Sequence, residues 1–426
     1  MKQNFYNSPR VSSQYLFCPF PFVLDTHAGC PHGCKYCFTY ANRIINQATE
    51  GKIFEDERRI SDLEHLERIL DNKPRRKDER ELCEFTKRKI PMHWGGLTDP
   101  FSIFEKDTKV SLKAMKLFRK YKYPFITSTK NPRLASKEYL KVLKDCKAIV
   151  QVSLISVDKR LEKIEPNPEI RISDRLDMIE KISKAGKKVV VRLQPFIPRF
   201  CDAGVEKLIK EVSKRGAKAI TVEFLKIGLM ASKSEAVVNI YEDMSNALGF
   251  DIMGYYKKYG EVTSSDIEIK DEFKIPTMRR IKKMAHSAGL EFYSSDNATR
   301  DMGDSHICCG LKGNEKGFER TSDFCTSRLL FKAREKGFVT ISDLLEKDAD
   351  IFENISIGWF NQGDAHKGRI KRKMSAKDEA VRIWNSKGRS GNSMSKFFYS
   401  IEYAGVDKNK NAVYKYNRRK GNQLII

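Results

Sequence analysis

Nowhere in the 426 residues is there an apolar run near the roughly 20 residues that a membrane-spanning helix requires. The opening Met-Lys-Gln-Asn-Phe-Tyr has no apolar stretch of the kind that marks a secretory leader, so a cytoplasmic protein with no membrane partner is expected. No internal repeat is visible at a period of roughly 20–50 residues, which argues against solenoids and propellers. Acidic residues are in deficit, with 56 Asp and Glu against 80 Lys and Arg, for a net charge of +24. An excess of that size attracts polyanions, and salt weakens the attraction; a merely solvated basic surface is the bland alternative. A disulfide framework is missing too. Ten cysteines are too few to staple a chain of this length, and in a reducing compartment clustered cysteines hold metal or do redox chemistry.

What is present suffices for a large core, since 40% of residues are hydrophobic. From about residue 20, short apolar runs alternate with amphipathic segments, the pattern of β/α units around a parallel sheet. Strands are expected at Phe22–Asp25, Pro91–Trp94, Phe125–Thr127, Ile149–Leu154, Lys188–Leu193, Ala219–Phe224 and Leu290–Tyr293. Helices are expected near Asp56–Leu70, Thr108–Tyr121, Ser136–Asp145, Arg171–Ala185, Gly204–Arg215 and Pro276–Ala288. Gly186 and Gly216 stand where a helix ends before the next strand. The reading is an α/β fold, a partial (β/α)6-type barrel over 21–296, preceded by an N-terminal segment 1–20. Residues 226–275 read as an insertion within it. A cysteine-containing and basic extension follows over 297–426, its end a small module or a partly mobile tail. The run Lys73-Pro-Arg-Arg-Lys-Asp-Glu-Arg80 reads as a solvated loop.

Two cysteine groups stand out, Cys30/Cys34/Cys37 and Cys308/Cys309/Cys325, while Cys18, Cys83, Cys146 and Cys201 read as scattered ordinary thiols. The first group, His27-Ala-Gly-Cys30-Pro-His-Gly-Cys34-Lys-Tyr-Cys37, directly follows the first expected strand. Three thiolates on a loop with Gly29 and Gly33 can hold three corners of a cubane iron–sulfur cluster and leave one iron open. A structural zinc ion is the competing occupant, and it requires His27 or His32 as a fourth ligand.

The motif C-x3-C-x-aromatic-C after strand one resembles the signature of the radical S-adenosylmethionine (SAM) superfamily. Membership implies a [4Fe-4S] cluster on Cys30, Cys34 and Cys37 whose open iron chelates SAM. The reduced cluster splits the sulfonium, and the 5′-deoxyadenosyl radical then abstracts a substrate hydrogen. Further motifs follow in order: Gly95-Gly-Leu97-Thr98-Asp99-Pro100, Ser128-Thr-Lys130-Asn-Pro-Arg133, Gln151-Val-Ser153, Glu165-Pro166-Asn-Pro168, Arg171 with Arg175, and Arg192-Leu-Gln194-Pro195. This series is similar to the spore photoproduct lyase-like branch, often labelled DNA repair photolyase, over about residues 20–225. The resemblance implies that Tyr36 packs near the adenine, Thr98 meets the SAM amino group, Lys130 pairs with its carboxylate and Ser153 reaches the ribose. Gln194 joins the cofactor-binding set and Asp99 is a candidate catalytic carboxylate. Electrons would come from a reductant such as flavodoxin or ferredoxin. In spore photoproduct lyase a cysteine that returns hydrogen to the product precedes the strand-two Ser/Thr-Asp. Leu97 stands there in this chain and has no transferable hydrogen, so the resemblance implies another substrate, another donor, or both.

The second group, Cys308, Cys309 and Cys325, is a candidate hydrogen donor folded over the barrel mouth. Alternatively it holds an auxiliary iron–sulfur cluster or a zinc ion with His306, or is structural. Residues 360–426 interleave Lys367, Arg369, Lys371, Arg372, Lys373, Arg389, Lys396, Arg418, Arg419 and Lys420 with aromatics. Cations can neutralise phosphates and aromatic faces can stack on bases, so DNA or RNA is an expected partner of this region. Trp359, Trp384, Phe397, Phe398, Tyr399, Tyr403, Tyr414 and Tyr416 could equally form a small core. Hydrogen abstraction from a nucleic acid or nucleotide is the leading functional expectation, and a small molecule, peptide or protein the alternative substrate.

Overall fold

A computed structural model describes residues 5–6, 8–12, 16–39, 60–229, 235–263, 266–296, 299–323, 325–346, 353–357, 374–387 and 393–425. Trp359, Lys367, Arg369, Lys371, Arg372, Lys373 and Arg389 lie outside these residues. Among the described residues no helix is long and apolar enough to cross a membrane.

One eight-stranded sheet organises the molecule: β1 Arg10–Val11, β2 Phe22–Leu24, β3 Met92–Trp94, β4 Phe125–Thr129, β5 Ala148–Ser153, β6 Lys188–Phe196, β7 Ala219–Phe224 and β8 Glu291–Ser294. The strands lie side by side in chain order. β1 is antiparallel to β2, and every later neighbour is parallel. β1 and β8 are the two ends of the order, so the sheet is an open, partial barrel. Alternation along β5 shows how the sequence builds it. Val150 and Val152 join the outer core with the helices, whereas Ile149 joins a second core inside the barrel. Gln151 and Ser153 share the inner face with Ile149.

The helices outside the sheet include α1 Leu63–Leu70, α2 Lys77–Lys87, α3 Val110–Lys120, α4 Lys137–Leu143, α5 Ile172–Lys184, α6 Phe200–Lys214 and α7 Asp271–Ser287. Gly186 and Gly216 take positive φ after α5 and α6, as expected. Three local expectations need correction. α1 starts at Leu63, because Asp62 accepts from the amides of Glu64 and His65 and caps it there. The basic run 73–80 is not all loop: α2 begins at Lys77, and its Glu79 is buried against Arg68 at 2.8 Å and His65 at 2.9 Å. α7 starts at Asp271, ahead of Pro276, which costs only one hydrogen bond in the second turn. The insertion after β7 carries two helices, Glu235–Leu248 and Ile252–Tyr259, and a small antiparallel sheet.

The described part of the C-terminal region folds into a module. A hairpin, Ile401–Val406 with Ala412–Tyr416, packs with the helix Ala376–Trp384. Trp384, Phe397, Phe398 and Tyr414 are buried in the outer core, and Phe397 stacks on Phe17 with ring centroids 4.3 Å apart. These four aromatics are therefore core residues and not exposed stacking platforms. Tyr403 is 37% exposed, and Lys420 lies over the Tyr399 ring.

Candidate active site

The cysteine loop leaves the C-terminal end of β2, where the active sites of β/α barrels collect. It is tied to the rest of the mouth at two points. The Lys35 amide donates to the Ile164 carbonyl (2.9 Å), and Gly33 (φ 64°) lies 3.5 Å, measured from a Cβ built on it, from the Pro166 ring. Cys34 is buried, and Cys30 and Cys37 are partly exposed; all three are free of disulfides.

Asp99 is the first hub. Its Oδ2 accepts from His32 Nε2 (3.1 Å) and the Lys130 amide (2.7 Å), and its Oδ1 accepts from Thr129 Oγ1 (2.8 Å) and the Phe101 amide (2.9 Å). Burial works against the charge, yet the His32 bond and the backbone amides hold Asp99 down at about 2. His32 is filled from the other side, where Asn167 Nδ2 donates to its Nδ1 (3.2 Å). Asp99 therefore fastens the cysteine loop to the start of the segment after β4, a positioning role in which it meets other protein groups. The unfolded carboxyl titrates near 3.8, the folded one near 2, so its stabilisation is complete above about pH 4 and is lost as the pH falls toward 2. Asp99→Asn is expected to cost about 2 kcal/mol at neutral pH and to flatten the acid limb of the stability curve. Urea unfolding at several pH values reads this, and an unaltered slope between about pH 4 and 2 would remove the assignment.

Glu165 is the second hub, fully buried. The Tyr36 hydroxyl donates to its Oε1, Arg175 meets its Oε2 at 2.5 Å, and Lys130 Nζ lies 3.7 Å away. Arg175 also donates to the Ser153 carbonyl (2.9 Å), fixing the end of β5. Burial opposes the Glu165 charge, but Arg175 and Lys130 outweigh it and keep the carboxyl below its ordinary range. Lys130 sits 5.4 Å above the Tyr36 ring. Glu165 and Arg175 stand out in the sequence as motif residues, and only the fold joins them to Tyr36, Lys130 and Ser153.

The remaining expected residues fall around the same mouth. Thr98 is buried, and its hydroxyl donates to the His27 carbonyl (2.7 Å), while the amides of Leu97 and Thr98 donate to Asp25 Oδ1 (3.0 and 3.3 Å). Leu97 is 45% exposed. Gln194 accepts from Arg192 Nε at 2.6 Å, and Arg192 reaches Ser128 Oγ at 2.9 Å. Ser128 in turn donates to Gln151 Oε1 (2.6 Å), a continuous polar layer across the inner face of β4, β5 and β6.

Do the residues fit an iron–sulfur cluster? Among the described residues both nearby histidines already hold protein partners. His32 is bonded through both ring nitrogens, and His27 Nε2 reaches Thr108 Oγ1 at 3.0 Å. Among the described residues no three His, Cys, Asp or Glu side chains close on a point as a single metal ion requires. Thiolates around a cubane stand wider apart, because each binds a different iron. The three thiols nonetheless sense one another: Cys30 is pushed up to about 11, chiefly by burial, with Asp99 and Cys37 adding, and Cys34 is raised by burial, with Cys30 and Cys37 contributing. The donor set thus suits a three-cysteine cluster with an open iron better than zinc.

The second cysteine group is reached from the inner wall of the barrel. Cys308 and Cys309 lie inside the barrel. The Cys309 carbonyl accepts from Gln151 Nε2 (2.8 Å) and the Cys308 carbonyl from Thr221 Oγ1 (2.7 Å). Gln151 precedes Ser153 by one pleat repeat, about 7 Å along β5, whereas Thr221 pairs through Arg192 in register with Ser153, so the two carbonyls span the wall from the Gln151 level to the Ser153 level. Cys325 is buried, with its thiol donating to the Phe17 carbonyl (2.8 Å). His306 is turned to Ser322 (2.8 Å) and packs edge-on against Phe331.

Residues 25–212 match the family model described as Radical SAM superfamily. Among solved structures, the chain is similar to a spore photoproduct lyase mutant at 16% identity, covering 68% of this chain and 80% of that one with a TM-score of 0.49. It is also similar to spore photoproduct lyase complexed with dinucleoside spore photoproduct, at 17% identity, 68% and 79% coverage and a TM-score of 0.47. A third is Streptococcus suis SuiB bound to S-adenosylmethionine, at 14% identity, 66% and 51% coverage and a TM-score of 0.40. No curated protein sequence matches the chain at a significant level.

Proposed function

We propose, on the match of residues 25–212 to the radical SAM superfamily, an enzyme that cleaves SAM reductively and abstracts hydrogen from a nucleic acid or nucleotide. The observation that carries the reading is the mouth loop itself: three unpaired thiols, Cys30, Cys34 and Cys37, beside two histidines already committed to protein partners. When bound, a [4Fe-4S] cluster with SAM supplies a 5′-deoxyadenosyl radical.

The chain's own residues bind and orient. The Thr98 hydroxyl has its proton on the His27 carbonyl, so its oxygen lone pairs are left to accept from the SAM ammonium. Lys130 is part-exposed, and its contact to Glu165 is long, so its ammonium retains donors for the SAM carboxylate. Glu165 holds Tyr36 from behind, presenting the ring rather than the hydroxyl to an adenine. Ser153, on the inner face at the end of β5, suits a ribose hydroxyl, and Gln194, whose carbonyl accepts from Arg192, offers its amide donor. A reductant such as flavodoxin or ferredoxin would supply the electron.

Net charge supports the choice of a polyanionic substrate, since an excess of +24 attracts phosphates. Carbon atoms within a duplex are out of reach of a barrel mouth, so the nucleotide would have to be flipped or single-stranded. Anaerobic incubation of the reconstituted protein with SAM and dithionite is expected to yield 5′-deoxyadenosine; none would overturn the reading. DNA or RNA is expected to shift in a mobility assay and to be released between roughly 50 and 200 mM salt. Unchanged mobility at low salt would move the substrate to the small-molecule, peptide or protein class. Lys130→Ala is expected to weaken SAM binding on the order of tenfold, the loss of one charge-assisted bond. Calorimetric titration of the reconstituted protein measures this, and an unaltered Kd would count against the carboxylate pairing.

A further inference from the structure

After β8 the chain turns back and enters the barrel. Ile307, Leu311 and Phe318 complete the inner core with Phe20, Ile126, Ile149, Val190, Ala219 and Tyr293, and Cys18 and Cys309 pack against it. The entry is tight. Gly310 has φ 89°, and a Cβ there would lie 2.4 Å from Val190 Cγ1, so only glycine lets the Cys308-Cys309-Gly310 turn lie on β6.

The same segment binds residues 16–20. The Thr326 amide donates to the Leu16 carbonyl (2.7 Å) and the Ser322 amide to the Pro19 carbonyl (3.2 Å). The Cys325 thiol donates to the Phe17 carbonyl (2.8 Å) and the Cys18 thiol to the Phe20 carbonyl (3.2 Å). Cys18, which looks isolated in the sequence, thereby joins the second cysteine group. The Cys308 and Cys309 thiols are hydrogen-bonded to each other, and the Cys18 thiol lies within electrostatic reach of Cys308 and Cys325. Two part-buried cations flank them. Arg300 donates to the Phe17 carbonyl (3.3 Å), and both Arg300 and Arg192 lie within electrostatic reach of Cys18 and Cys308.

We propose that Cys18, Cys308, Cys309 and Cys325 are the four ligands of a second [4Fe-4S] cluster, inside the barrel and saturated by protein. Four thiols meet the ligand count of a cubane with no corner left for SAM. Each thiol gives its proton to solvent as it binds iron, and Arg192 and Arg300 offset the negative charge of the four-thiolate centre. His306, engaged with Ser322, is not needed.

The test uses the full chain, reconstituted anaerobically with ferrous iron and sodium sulfide, desalted, and assayed for iron, zinc and acid-labile sulfide. The unaltered protein is expected to hold about eight irons, and both the Cys30→Ala/Cys34→Ala/Cys37→Ala and the Cys18→Ala/Cys325→Ala variants about four. The iron retained by the first variant should give a reduced-state EPR signal that SAM does not perturb, because no iron is open. About four irons in the unaltered chain with none in the first variant, zinc in place of iron, or a SAM-sensitive signal would overturn the proposal. Should the Cys18/Cys325 variant fail to fold, Cys309→Ser, at a part-exposed thiol, is expected to lower the iron content from about eight toward four, and no loss would count against the site. Four irons in the first variant without any 5′-deoxyadenosine from the unaltered chain would leave this site standing and sink the functional reading alone.

Discussion

Cys34→Ala is expected to abolish both the brown absorbance contributed by the mouth cluster and the formation of 5′-deoxyadenosine, while far-UV circular dichroism and the melting curve stay close to those of the unaltered chain. Cys34 is 7% exposed and packs into the outer core near Tyr36, so removing its sulfur opens a small cavity worth about 1 kcal/mol. The chemical effect is expected to be far larger than the structural one, because two thiolates would have to hold a cluster proposed to rest on three. Burial raises Cys30 and Cys34, so iron must displace protons from both, and loading should improve as the pH rises. Measuring iron content against reconstitution pH checks that direction. A Cys34→Ala protein that still cleaves SAM at the full rate would remove the three-thiolate site.

Arg175→Ala should produce the largest loss of stability among the mouth residues, about 3–5 kcal/mol, because it strands the buried carboxylate of Glu165. Arg175 and Glu165 are both buried to the point of having no accessible side chain, so water cannot compensate. The partners of the pair are what make it more than structural: Tyr36 and Lys130 on one side and the Ser153 carbonyl on the other. The double variant Arg175→Met/Glu165→Gln removes the charge from both sides and is expected to regain much of the stability but not SAM affinity. Chemical unfolding and calorimetric titration separate the two effects. Full recovery of SAM binding in the double variant would show the pair to be scaffolding alone.

Much of the fold was legible because its physical causes are local. Along Ala148–Ser153 the alternation of Val150 and Val152 with Ile149, Gln151 and Ser153 assigns two faces to one strand, and glycines after α5 and α6 mark where helices stop. Helix α2 was not legible. Glu79, a charged residue, is buried there, which makes sense only once Arg68 and His65 from α1 are placed beside it. The aromatics near the C-terminus stayed open between a stacking surface and a small core for the same reason: Trp384 finds its carbonyl acceptor in Ala412 and Phe397 its stacking partner in Phe17, both far away in the chain.

The sequence by itself determined the number of thiols at the mouth, since three cysteines within eight residues ride one short loop wherever the barrel places it. It also determined the absence of a hydrogen-donating thiol at Leu97 and the basic balance of charge. Only the tertiary structure decided that His27 and His32 are committed elsewhere, that Asp99 and Glu165 are hubs of positioning bonds, and that Cys18 stands with Cys308, Cys309 and Cys325. Spacing along the chain governs what a single loop can gather. Contacts across the barrel depend on how strands and returning segments pack, and no local pattern encodes them.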